Sequence, residues 1–213
     1  PVHLPSLDPL TRTIEIRNFT QELTMSKFKN NSNCPNSITD PSINFMISLS
    51  ILDSHFGQLD FLPYPNLTLL TKLVLNNVSL SNISEIAFQS LNSLAHVSLK
   101  INPLMKIGRS LFKKLTMLIF LDLSFTKISY LHPTIFRNIN KLETLFLCHT
   151  QIKTINFDSV PTFENIKLLD ISSVLTEDDL ILTASLVSLA TLFTVHDRVC
   201  CMLKALCISD QHS

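Results

Sequence analysis

Glycine is nearly absent: only Gly57 and Gly108 occur in 213 residues. Phosphate-cradling loops and nucleophile elbows both need clustered glycines where backbone meets ligand, so both are excluded. Charge is sparse too. Charged residues make up 16% of the chain, and 17 basic groups balance 17 acidic ones, so no electrostatic case for nucleic acid or an anionic membrane surface starts from that balance. Catalytic constellations are missing as well: His3, His55, His96, His132, His149, His196 and His212 form no metal-ligand spacing, and no paired carboxylates sit beside a nucleophile. The composition therefore reads as a protein that is not an enzyme and needs no cofactor or metal. The chain opens at Pro1 without a charged segment leading into an apolar stretch, as a mature or truncated piece would.

What is present is a hydrophobic pattern that returns every 24 residues. The strand core L-x-x-L-x-L is kept in Met46, Leu49, Ile51; Leu70, Leu73, Leu75; Leu94, Val97, Leu99; Leu118, Leu121, Leu123; Leu142, Leu145, Leu147; and Ile166, Leu169, Ile171. Such a period is that of a leucine-rich repeat. It predicts an α/β solenoid, a curved horseshoe with a parallel β-sheet on the concave face and an irregular or short-helical convex side. Phe88, Phe112 and Phe136, with Leu91, Leu115 and Ile139 three residues on, form convex core rows. The ninth repeat position, commonly Asn or Cys, holds Ser54, Val78, Asn102, Thr126, Thr150 and Val174. The valines cannot satisfy backbone groups, so a looser ladder is expected on that edge.

The predicted organisation has three parts. Residues 1–45 carry a degenerate repeat near Thr11 and a polar insertion at 29–42; residues 46–190 are the repeats; residues 191–213 form a cysteine-containing cap or hinge. Thr176-Glu177-Asp178-Asp179 suits a helix N-cap, with a calcium site as the sharper alternative. The stretch 180–195 has no charge, but it is shorter than the roughly 20 residues of a bilayer span and reads as a last repeat.

Of five cysteines, Cys34 stands apart in the insertion, Cys148 falls on a strand facing the concave side, and Cys200, Cys201 and Cys207 follow the repeats. Extracellular solenoids commonly close an exposed end with disulfides, and a zinc site is the competing reading. Adjacent Cys200 and Cys201 need separate partners, for which Cys207 is one candidate and a cysteine past Ser213 another. Sequons for N-glycosylation stand at Asn18, Asn30, Asn66, Asn77 and Asn82, all in the first half. If these carry sugar, the later repeats offer the cleaner binding surface.

Side chains alternate across a strand, so with the leucines inward the residues open to a ligand are Val74, Asn76, Ser98, Lys100, Asp122, Ser124, Phe146 and Asp170, together with Ser50, Leu52, Cys148 and Ser172. Lys72, Glu143 and Lys167 flank them, and Phe120 and Phe125 lie in or near the strip. Aromatics among scattered charges favour a peptide or protein ligand over sugar or nucleic acid. On this register Leu121→Ala is expected to destabilise strongly and Asp122→Ala to leave the fold nearly untouched.

The segment Leu192-Phe193-Thr194-Val195-His196-Asp197-Arg198-Val199-Cys200-Cys201-Met202-Leu203 resembles the hinge after the repeats of leucine-rich-repeat G-protein-coupled receptors, the glycoprotein-hormone and relaxin receptor group. In that family the hinge cysteines bond to later cysteines before the first membrane helix, and the concave strands bind hormone. The resemblance implies that Cys200 and Cys201 are the hinge pair and that the outward strand residues form the hormone surface. It further implies an extracellular, glycosylated binding region at the plasma membrane that works with a downstream membrane domain. The chain has no seven-helix domain of its own. The alternative is a secreted or single-span adhesion protein in which Cys200, Cys201 and Cys207 form a self-contained cap.

Overall fold

In the computed structural model the described residues are 13–17, 45–55, 57–60, 67–153 and 165–171. In chain order the strands among them are β1 (Thr13–Arg17), β2 (Ser48–Leu52), β3 (Gln58–Leu59), β4 (Lys72–Asn76), β5 (Asn82–Ile83), β6 (His96–Ser98), β7 (Phe120–Asp122), β8 (Thr144–Phe146) and β9 (Leu168–Asp170). Seven of them stack side by side, all parallel, in the order β1-β2-β4-β6-β7-β8-β9. From β2 onward on this sheet, leucine-type residues at alternate positions turn one face of each short strand into core, and each residue pairs with the one 24 later. The central rung reads Leu49, Leu73, Val97, Leu121, Leu145, Leu169. The step from β1 to β2 is longer, since Thr13 pairs with Ser48, so the degenerate repeat joins the sheet and the extra chain falls between the two strands.

The three leucine-type rows and the phenylalanine row are all buried, Phe88, Phe112 and Phe136 almost completely. Phe88 and Phe112 stack with ring centroids 6.4 Å apart. Burying each such side chain is worth about 1.5–3 kcal/mol relative to leaving it exposed. The convex chain turns in the same way each time: Leu91, Leu115 and Ile139 donate to the carbonyls of Phe88, Phe112 and Phe136 at 3.1, 3.0 and 3.1 Å. The third of these turns is preceded by a 3₁₀ helix, Pro133–Phe136, capped by His132 Nδ1, which accepts from the Thr134 N–H. A small second sheet, not expected from the sequence, pairs β3 with β5. It follows Gly57, whose φ of 66° suits glycine and whose carbonyl accepts from the Ser81 N–H at 2.7 Å.

The expected loosening at Val78 does not occur. Asn102, one repeat later, accepts from the Val78 and Leu80 N–H groups at 3.1 and 3.0 Å and donates to the Leu75 and Leu99 carbonyls at 2.8 and 2.7 Å. One amide thus serves two repeats, and Val78 is free to fill core. Ser54 and Thr126 donate to the Leu52 and Leu123 carbonyls, each at 2.8 Å. The weak point is Thr150, whose buried hydroxyl has no partner among the described residues.

Outside the described residues lie the insertion at 29–42, the Thr176–Asp179 cap, the 180–195 stretch and the whole of 191–213 with Cys200, Cys201 and Cys207. So do Ser172, Val174, Cys34 and the sequons at Asn18, Asn30 and Asn66. Among the described residues no helix is long and apolar enough to cross a membrane.

Candidate functional site

Because the strands pair in register, their outward side chains form columns across the repeats. The first runs Lys72, His96, Phe120, Thr144, Leu168; the second Val74, Ser98, Asp122, Phe146, Asp170. The third continues through Asn76, Lys100, Ser124 and Cys148. In the sequence the first column stands outside the expected outward row, with Lys72 and Phe120 beside the strip and His96 beside or within a strand, although the same two-residue alternation extends to all of them. It carries the aromatic centre of the face. His96 stacks on Phe120 at 5.7 Å, and Phe120 meets Phe146 edge to face at 5.5 Å.

Three expected ligand contacts present little surface. Ser98 and Asp122 are 8% exposed and Ser124 only 2%. Their polar atoms serve the sheet. Asn76 Oδ1 accepts from the Ser98 hydroxyl at 2.7 Å and the Lys100 N–H at 3.1 Å, while Asp122 Oδ1 accepts from the Ser124 N–H at 2.9 Å. Asp122→Ala therefore loses a backbone cap, at about 1 kcal/mol, rather than leaving the fold untouched. The part of the strip open to contact is Val74, Asn76, Lys100, Phe146 and Asp170, all half-buried, with exposed His96 and half-buried Phe120. Lys72 is exposed beside them, and Glu143 and Lys167 pair with each other at 2.9 Å.

Cys148 is a free, half-buried thiol. Burial pushes its pKa up, the Asp170 and Asp122 carboxylates add to the rise, and a hydrogen bond with Ser124 partly opposes it. The thiol stays protonated near neutral pH and is a poor nucleophile. No group of three or more His, Cys, Asp or Glu that could hold a metal ion occurs among the described residues. The arrangement offers contact, with aromatics at the centre and charges of both signs around them: Lys72 and Lys100, Asp170, and exposed Glu15, which pairs with Ser50 at the early end of the second column. Of the sequons, Asn77 and Asn82 are exposed, and Asn77 Nδ2 donates to Asp53 Oδ1 at 2.9 Å.

Solved structures of similar fold include an internalin from Listeria monocytogenes, at TM-score 0.60 and 18% identity over 87% of this chain and 47% of that one. The fold is a leucine-rich repeat solenoid. TLR13 in its complex with ssRNA is similar at TM-score 0.57 and 19% identity, over 86% of this chain and 24% of that one. Toll from the Drosophila Toll–Spatzle complex is similar at 0.57 and 16%, over 74% and 23%. This chain thus spans between about a quarter and a half of those proteins' lengths. No family model and no curated relative matches it.

Proposed function

We propose that the chain is a binding module that holds a peptide or protein ligand on its concave face, and that it is the extracellular binding region of a leucine-rich-repeat receptor. The observation that carries the first part is the aromatic run His96, Phe120 and Phe146 between Lys72 and Lys100 on one side and Asp170 on the other. Clustered aromatics with charges of both signs at their rim suit a peptide. Similar solenoids are known in complex with ssRNA and with Spatzle, so the fold accepts more than one ligand class. A nucleic acid needs a row of cations along the groove, and here half-buried Asp170 interrupts the face.

Panning a random displayed peptide library on the full chain tests the binding reading. Enriched peptides are expected to lose at least about tenfold in affinity with Phe120→Ala or Phe146→Ala. Peptides indifferent to both changes contradict it. The receptor part rests on the resemblance around Cys200 and Cys201, and on this reading hormone is the ligand class. The sequence past Ser213 tests it, since absence of several apolar spans of about 20 residues contradicts it.

A further inference from the structure

Five residues spaced 24 apart share a left-handed backbone: Asp53, Asn77, Ile101, Phe125 and His149, with φ of 52°, 53°, 58°, 56° and 54°. The ladder imposes this turn whatever the side chain, because Asp53, Asn77, Ile101 and Phe125 donate to the carbonyls of Asn76, Lys100, Ser124 and Cys148 at 3.1, 3.0, 3.0 and 2.9 Å. Asp, Asn and His accept the conformation readily. A β-branched Ile and a bulky Phe there are strained, and both are also exposed, at 47% and 45%. Two successive repeats thus keep residues that suit neither the backbone nor water, side by side on one edge of the sheet. Such a conflict between local preference and local sequence marks functional surface.

The charge beside Ile101 and Phe125 is basic although the chain is neutral. Lys100 and Lys127 flank the pair in the chain and Lys153 follows His149, while the acids between Leu94 and Lys153, Asp122 and Glu143, are engaged elsewhere. Asp122 is covered on the concave face and Glu143 is paired with Lys167. Lys100 lies over the Phe125 ring at 5.5 Å, and Lys127 and Lys153 are exposed just beyond Phe125 and His149 in the chain. The faces of Phe125 are taken. His149 from the next repeat stacks on it at 4.4 Å, and Lys100 comes from the repeat before. On Phe125 itself a nucleotide base has no ring face left to stack on, whereas an apolar side chain can pack on the open ring edge and on Ile101.

We propose that this edge is a second docking site, for an extended protein segment in which apolar side chains alternate with carboxylates. The apolar groups pack on Ile101 and Phe125, and the carboxylates meet Lys100, Lys127 and Lys153. This site does not depend on the concave-face reading.

The test uses the full chain and a fluorescein-labelled blocked peptide, Glu-Leu-Asp-Phe-Glu-Leu-Asp, with its lysine-for-acid counterpart and an oligouridylate as controls. Saturable binding of the acidic peptide is expected at physiological salt, weakened at least about tenfold by the double change Ile101→Asn and Phe125→Asn. Asn suits the left-handed turn, so the melting temperature of that variant should hold or rise, and Phe146→Ala should leave binding unchanged. The proposal is overturned if the acidic peptide does not bind, if the double variant binds it equally well or melts lower, if Phe146→Ala abolishes binding, or if the lysine counterpart or oligouridylate binds as tightly.

Discussion

Asp53 and Asn77 stand at the same point of the same turn as Ile101 and Phe125. In the early repeats the residues fit the left-handed backbone and bond to each other, Asn77 Nδ2 donating to Asp53 Oδ1 at 2.9 Å. In the two repeats that follow, the residues oppose that backbone and expose apolar surface. The solenoid therefore dictates the conformation, and the side chain is left to serve stability in one half and contact in the other. Asn102 joins the halves, since its amide bonds to backbone on both sides of the change.

The largest effect should come from the frame that both halves share. Leu121→Ala removes a fully buried rung and should cost about 2–5 kcal/mol in denaturant unfolding, collapsing the comparison altogether. Asn102→Ala should cost about 2–4 kcal/mol, because buried N–H groups of Val78 and Leu80 lose their acceptor. Hydrogen exchange should then rise at those two amides first, showing that the early half opens at its junction with the late one. Thr150→Val should change stability by less than about 1 kcal/mol, and a stabilising sign is expected, since it removes a buried hydroxyl without a partner among the described residues.

The smallest effect concerns Cys148. Its raised pKa means that the folded state holds the proton more tightly than the unfolded one, so the associated stability is full below the unfolded pKa and is lost as pH rises through the folded value. Alkylation at Cys148, followed by mass spectrometry, should be slower near neutral pH in the folded chain than in urea, and Asp170→Asn should speed it. Equal rates folded and unfolded would contradict the burial described for the thiol.

The sequence carried the repeats because leucine spacing is a direct image of the rungs: every strand from β2 to β9 on the main sheet lies on its projected register. The phenylalanine row was legible for the same reason. Two features were not. The bond that satisfies Val78 comes from a residue 24 positions later, so the valine looked like a defect when read within its own repeat. The left-handed column was hidden because Ile and Phe carry no preference for that conformation, and with glycine nearly absent nothing in the local sequence of those repeats marks the turn. Outward alternation placed the ligand strip, but not the covering of Ser98, Asp122 and Ser124, which depends on hydrogen bonds made on that face.

The most direct measurement is a pair of reciprocal changes at equivalent points of the turn, Ile101→Asn and Asp53→Ile, compared by thermal and denaturant unfolding. The first should stabilise by about 0.5–1 kcal/mol through relief of the left-handed backbone, and the second should destabilise by about 1–2 kcal/mol. Shifts of opposite sign are the predicted result. Shifts of the same sign would contradict the claim that the later repeats hold their edge residues against local stability.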